Sequence, residues 1–155
     1  MLDYLSTLPN FLLYLCTSLA LMVALITVYV WITPQHELPL IRQGNVSASI
    51  IFGGTLLGFA LPLASAAAHS VNIVDLALWG AVAGGVQGLA SLLLRFMIHD
   101  LRLHIEADRV SVAIVMASLK ISLGLLNAAA VVLYFRHIMS MADRIRAIRT
   151  CRACR

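Results

Sequence analysis

Four stretches of this chain are too long and too apolar for the surface or the core of an ordinary soluble domain. Residues 11–32 and 46–68 contain no charged side chain, residues 73–94 contain only Asp75 near their start, and residues 110–135 contain only Lys120. A bilayer core about 30 Å thick is crossed by roughly 20 helical residues, and each run reaches that length. A membrane barrel would need at least eight alternating segments of about ten residues, a pattern absent here. Backbone groups in lipid must pair within the chain, so the runs are expected to be helices. The fold class is therefore all-α, a polytopic membrane protein with four transmembrane helices.

Composition agrees. Of the 155 residues, 61% are hydrophobic and 12% charged, whereas soluble domains carry about 25% charged residues. The first run is read as a span, not a cleaved signal peptide. Residues 1–10 lack Lys and Arg, and the run exceeds an h-region of about 7–15 residues. The net charge of +4 comes mainly from arginines at span ends and in residues 136–155, which hold six arginines and one acid, Asp143. Such a distribution speaks of topology and lipid headgroups, not nucleic acid. Residues 1–135 form the expected membrane domain. Residues 136–155 are an Arg-rich tail, either a helical extension of the last span or a disordered segment.

A shift of 64 positions lays the fourth span on the second. Val46-Ser47 falls on Val110-Ser111, Ile50 on Ile114, Leu61 on Leu125, and Ala64 and Ala66 on Ala128 and Ala130. Gly54 and Gly58 fall on Ser118 and Ser122. The chain then reads as two tandem two-helix repeats, about 11–68 and 73–135. Each repeat crosses twice, so the copies share one orientation, related by an axis along the membrane normal. Thr33-Pro34 opens a polar link to the second span, because proline stops a helix. Residues 69–72 form a tight turn, and residues 99–109 are charged and suited to continue the third span as an interfacial helix. Pro62 is expected to kink the second span. Arg42, Arg95, Arg102 and Arg109 cluster in the first and third links, which puts both termini on the periplasmic side. The tail arginines argue for the opposite.

The residues resemble a known family. Ile32-Thr33-Pro34, Glu37-Leu38, Leu40-Ile41-Arg42 and Gly44-Asn45 carry the likeness ahead of the second span. Gly53-Gly54-Thr55-Leu56-Leu57-Gly58-Phe59 and Pro62-Leu63-Ala64-Ser65-Ala66 carry it inside that span. Asp75, Trp79-Gly80, Gln87 and Gly124-Leu125-Leu126-Asn127-Ala128-Ala129 complete it. Over roughly residues 11–132 the chain resembles the YjfL-like family of bacterial inner-membrane proteins (domain of unknown function 350). The resemblance implies four spans built from two copies of a two-helix unit, multi-pass in the bacterial inner membrane. It implies no established activity and no catalytic residues. It also implies gene neighbours tied to the envelope, including phage-shock or ESCRT-like proteins and a glutathionylspermidine-synthase-like ligase. Lys120 and the tail with Cys151 and Cys154 depart from the family pattern.

Candidate functional residues follow from what lipid penalises. Lys120 lies ten positions into its span, roughly 15 Å deep, where a charge costs at least about 2.5–3.5 kcal/mol. It is read either as an ion-pathway, proton-pathway or anion-site group, or as a lysine snorkelling towards Glu106 and Asp108. No acidic residue stands within a span near its depth. Gln87, Ser91, Ser118 and Asn127 are neutral polar groups suited to interhelical bonding or to a pore lining. Gly54, Gly58, Gly80, Gly84, Gly88, Ser118 and Ser122 recur at intervals of four as small-residue packing faces. They serve contacts within one chain, and together they predict a homo-oligomer. Asp75 and Trp79 suit a helix cap and an interfacial anchor. His69 beside one aspartate is too little for a metal site. Cys151 and Cys154 are too few for zinc and lack a redox fold around them.

No nucleotide loop, nucleophile with a base, or paired intramembrane carboxylates appears, so no enzyme, cofactor or metal centre is expected. The leading functional expectation is an oligomeric scaffold or accessory subunit in envelope maintenance, with envelope-associated protein partners. Its alternative is an oligomeric channel for ions or small solutes, lined by Lys120, Gln87 and Asn127.

Overall fold

The computed structural model describes residues 2–32, 37–97 and 101–153, with the side chains of residues 8–32, 37–96, 101 and 103–141. Its elements are α1 (Leu2–Ile32), α2 (Glu37–Arg42), α3 (Val46–His69), α4 (Ile73–Met97), α5 (Leu101–Glu106) and α6 (Val110–Ala153). Four helices are long and apolar enough to cross a membrane, over Leu8–Ile32, Val46–His69, Ile73–Phe96 and Val110–Met141. Among the described residues there is no strand.

Several expectations about the links change. The polar link before α3 contains a helix of its own, α2, whose first residue, Glu37, is buried. The charged stretch after α4 carries a short helix, α5, and its junction with α4 lies outside the described residues. The tail is helical as far as Ala153, continuing α6 without a break. Its arginines beyond Arg136 and both tail cysteines lie outside the described side chains. α3 runs through Pro62, whose side chain is buried.

The ends of the spanning helices are built by their own polar residues. Asn45 caps α3: its side-chain oxygen accepts from the Ala48 N–H at 2.7 Å, and its amide donates to the Ile105 carbonyl at 2.7 Å. The Ser47 N–H donates to Asp108 Oδ1 at 2.7 Å. That bond to an N–H holds the Asp108 carboxyl below its ordinary value of 3.8. Two backbone bends set up this end, Gly44 at φ 83° and Asp108 at φ 50°. At the opposite end Asn72 accepts from the Asp75 N–H at 2.8 Å, while Asp75 accepts from the Val71 N–H at 3.2 Å. Asn72 thus satisfies one orphan donor of α4, and Asp75 ties the preceding turn back to the helix. Trp79 packs there against Tyr134, with ring centroids 4.2 Å apart.

α3 and α6 form the central pair and run parallel. Ser47 meets Asp108 near one end, and the Ser65 hydroxyl donates to the Ala128 carbonyl at 3.0 Å towards the other. Lipid tails supply no hydrophobic drive between helices, so close backbone approach has to supply dispersion and polar contacts instead. A Cβ on Gly124 would stand 2.8 Å from Gly58 Cα, and one on Gly54 would stand 2.6 Å from Ala117 Cα. α1 and α4 flank this pair. Gly80 and Gly84 of α4 receive Leu21 and Leu25 of α1. Buried apolar clusters form towards both ends, Ile51 with Leu94, Ile105 and Met116 at one, Leu63 with Leu76 and Val131 at the other.

Gly58→Leu is expected to cost about 1–3 kcal/mol or more by over-packing. Gly53→Ala, where a Cβ meets nothing within 4 Å, should be tolerated. Thermal unfolding in detergent separates the two. Asp108→Asn should lower the unfolding temperature at pH 7. A carboxyl with a depressed folded pKa contributes stability above its ordinary value and loses it as pH falls through the depressed one. The deficit should therefore shrink below about pH 3.8, measured by the same unfolding scan across pH.

Candidate functional site

Between the two apolar clusters lies a polar layer centred on Lys120. Its side chain is 2% exposed. The ammonium donates to the Tyr29 hydroxyl at 2.7 Å and to Thr55 Oγ1 at 2.7 Å. It also stands 5.0 Å from the centre of the Tyr29 ring, within cation–π range. Thr55 passes its own hydroxyl proton to the Ile51 carbonyl at 2.9 Å, the usual back-bond of a helical threonine. Tyr29 donates to Glu37 Oε1 at 3.1 Å. The chain Lys120–Tyr29–Glu37 thus joins α6 to α1 and α2.

Each element has a physical reason to contribute. A helical side chain leans towards the amino end of its helix, so Tyr29, near the end of α1, projects back into the bilayer. α2 carries Glu37 inwards, where it is 5% exposed. Burial pushes the Glu37 carboxyl above its ordinary value of 4.5, against the opposing pull of Lys120, the Tyr29 hydroxyl and Arg95. Phe59 closes one side of the layer, edge-on to the Tyr29 ring at 5.9 Å.

This arrangement corrects the reading of Lys120. Its ammonium does not reach for Glu106 or Asp108: Asp108 is bonded to the Ser47 N–H, and the lysine turns to Tyr29 and Thr55. An acidic partner does exist at its depth, brought there by a short helix that is not itself a span. Sequence reasoning missed Tyr29, Glu37 and Thr55. A signal was present, because a lysine that stays buried demands a carboxylate nearby, and Glu37 stands directly ahead of the apolar run Leu38-Pro39-Leu40-Ile41 within the polar link.

The other candidates fall into separate roles. Gln87 donates to the Lys120 carbonyl at 2.8 Å, and Asn127 donates to the Ala83 carbonyl at 2.8 Å. Both tie α4 to α6. Gly54, Gly58, Gly80 and Gly84 are packed against neighbouring helices, whereas a Cβ at Gly88 would meet nothing within 4 Å. Ser118 and Ser122 are exposed on α6, so they take no part in the α3–α6 contact. His69 bonds the Ser65 carbonyl at 2.8 Å and stacks on Phe135. Among the described residues no group of three metal-ligating side chains forms.

A cavity of about 350 Å³ opens between α1 and α4. Lys120 and Arg95 both line it, as does Ser91. The Ser91 hydroxyl and Gln87 Oε1 are buried without a hydrogen-bond partner.

Breaking one side of a buried charged chain leaves the other side uncompensated, typically at a cost of about 3–5 kcal/mol. Lys120→Met and Glu37→Gln should each destabilise strongly. The double variant should cost clearly less than the sum, as read from a double-mutant cycle of thermal unfolding in detergent.

Comparison with known proteins places this architecture. The family model described as Domain of Unknown Function (DUF350) matches residues 3–131. The UPF0719 inner membrane protein YjfL of Escherichia coli (strain K12) is 34% identical over 125 residues, 81% of this chain and 95% of the relative. The protein of the same name in Escherichia coli O157:H7 shows the same identity and coverage. No solved structure matches the chain. With four membrane-crossing helices and a family match over nearly the whole bundle, the chain belongs to the DUF350 family of inner-membrane proteins.

Proposed function

We propose that the protein is a non-enzymatic, oligomeric scaffold or accessory subunit of the bacterial inner membrane, serving envelope maintenance. The observation that carries the oligomer is the outer face of α6. Its inner face is spent on Ala117, Lys120 and Gly124, while Ser118 and Ser122, one turn apart, stay exposed. In lipid such a small-residue face lets a second helix approach closely. The helical continuation of α6 to Ala153 carries the basic residues beyond the last apolar stretch. There they meet headgroups or an acidic protein surface. The orientation in this reading leaves the α2 and α5 end cytoplasmic.

The reading includes a duplicated two-helix unit. In support, a shift of 64 carries α2 onto α5 and the start of α3 onto the start of α6. The same shift carries Gly44 onto Asp108, the two positive-φ residues. Side-chain bonds between the halves join residues 60, 61 and 63 positions apart, as expected for parallel copies meeting across an axis along the membrane normal.

The alternative, an oligomeric ion- or solute-conducting protein, has less support. Gln87 and Asn127 are committed to ties between α4 and α6. Cross-linking in native membranes, followed by mass determination in nanodiscs, tests the main reading. Wild type should form a discrete oligomer, and Ser118→Leu/Ser122→Leu should become monomeric at an unchanged unfolding temperature. A monomeric wild type would overturn it.

A further inference from the structure

We infer that the cavity between α1 and α4 binds an anionic single-chain amphiphile, with one alkyl chain and a carboxylate or phosphate head. This inference does not depend on oligomerisation. Its volume, about 350 Å³, lies at the lower end of ligand sites, which suits one chain better than two. Its walls are apolar: Leu25 and Val28 from α1 and Leu89 and Leu92 from α4 face it.

Charge defines the head. Lys120 and Arg95 both line the cavity, and both act on the Glu37 carboxyl. Lys120 at mid-depth and the partly buried Arg95 in the last turn of α4 thus present two cationic groups to the same cavity, suited to an anionic head at the end of the apolar wall. Among the described residues the Lys120 ammonium makes two hydrogen bonds, one fewer than its three donors allow. Ser91 adds a neutral donor. It is 6% exposed, lines the cavity, and its hydroxyl has no partner. A buried hydroxyl left unpaired in an apolar wall carries a desolvation cost. A carboxylate or phosphate oxygen would satisfy it.

Two glycines are a separate sign. Gly80 and Gly84 are small because α1 packs on them, but a Cβ on Gly85 or Gly88 would meet nothing within 4 Å. Both line the cavity. Glycine inside a helix costs roughly 0.5–1 kcal/mol relative to alanine, and packing within the chain gives no reason for it here. Their smallness keeps the cavity open.

The polar groups around Lys120 are also not repeated between the two halves of the chain. The 64-residue shift that superposes α2 on α5 carries Tyr29, Glu37 and Thr55 onto Leu93, Leu101 and Leu119. In reverse it carries Lys120 onto Leu56. Four polar positions thus have four leucine counterparts.

Photolabelling tests the inference. The full-length protein in phosphatidylcholine nanodiscs is exposed to a diazirine-bearing palmitate or a diazirine-bearing hexadecanol, and labelled peptides are mapped by mass spectrometry. Palmitate should label residues 25–32 and 85–92, and unlabelled palmitate should compete. Gly88→Leu, which fills the space without touching the packed face, should reduce palmitate labelling by about tenfold at an unchanged unfolding temperature. Arg95→Gln should weaken palmitate labelling by about tenfold, the loss expected for one charged hydrogen bond, and leave hexadecanol labelling unchanged. Labelling spread evenly over the lipid-facing surface, or equal in Gly88→Leu and wild type, would overturn the proposal. Displacement of palmitate by inorganic phosphate alone would overturn it in favour of a free-anion site.

Discussion

A single ammonium at mid-depth organises this bundle. Lipid offers Lys120 neither water nor counter-ion, so the chain must supply both acceptors and charge. It does so from three different elements: Thr55 on α3, Tyr29 on α1, and Glu37 on α2 through Tyr29. α1 has little else to hold it. The most apolar stretch of α1 has no fully buried residue, and it is seated through the half-buried Tyr14, Leu21 and Met22 on the Leu63 cluster and through Leu21 and Leu25 in the glycine notches of α4. The lysine therefore turns a loosely packed helix and a short surface helix into parts of one structure. The α3–α6 pair is the rigid base on which this can happen, because glycines at the crossing bring the backbones together.

The spans were legible in the sequence because the bilayer imposes a length and an apolarity that few other environments demand. A capping role for Asp75 was legible for the same kind of reason, since a helix end needs acceptors for its orphan N–H groups, whereas Asn72, which accepts from the Asp75 N–H, was read only as part of a turn. Other features were not. α2 is six residues long, too short to show a period, and only its tertiary position buries Glu37. Ser118 and Ser122 repeat the spacing of Gly54 and Gly58, yet the partner of Gly58 is Gly124. Spacing identifies a face but not the direction in which it points. The direction of the Lys120 side chain was equally hidden, because two acids near the helix start offered an escape that the fold uses otherwise.

The polar residues first grouped together also separate by function. Gln87 and Asn127 are braces, each donating to a backbone carbonyl on the facing helix. Lys120 is a hub with a cavity at its side. Grouping by polarity alone merged two physical roles. Geometry distinguishes them by whether a donor is spent on the backbone or left towards an open volume.

The ties at the α2 and α5 end carry a consequence for biogenesis. The Ser47 N–H, at the start of α3, finds its acceptor in Asp108, 61 residues later, and the Asn45 amide finds its own in Ile105. The first hairpin is therefore synthesised and inserted with its leading edge unfinished. Only arrival of the second hairpin, in the correct rotation about α3, closes those bonds at the membrane surface. The same contacts that cap a helix in the finished protein can close only once its two halves lie together.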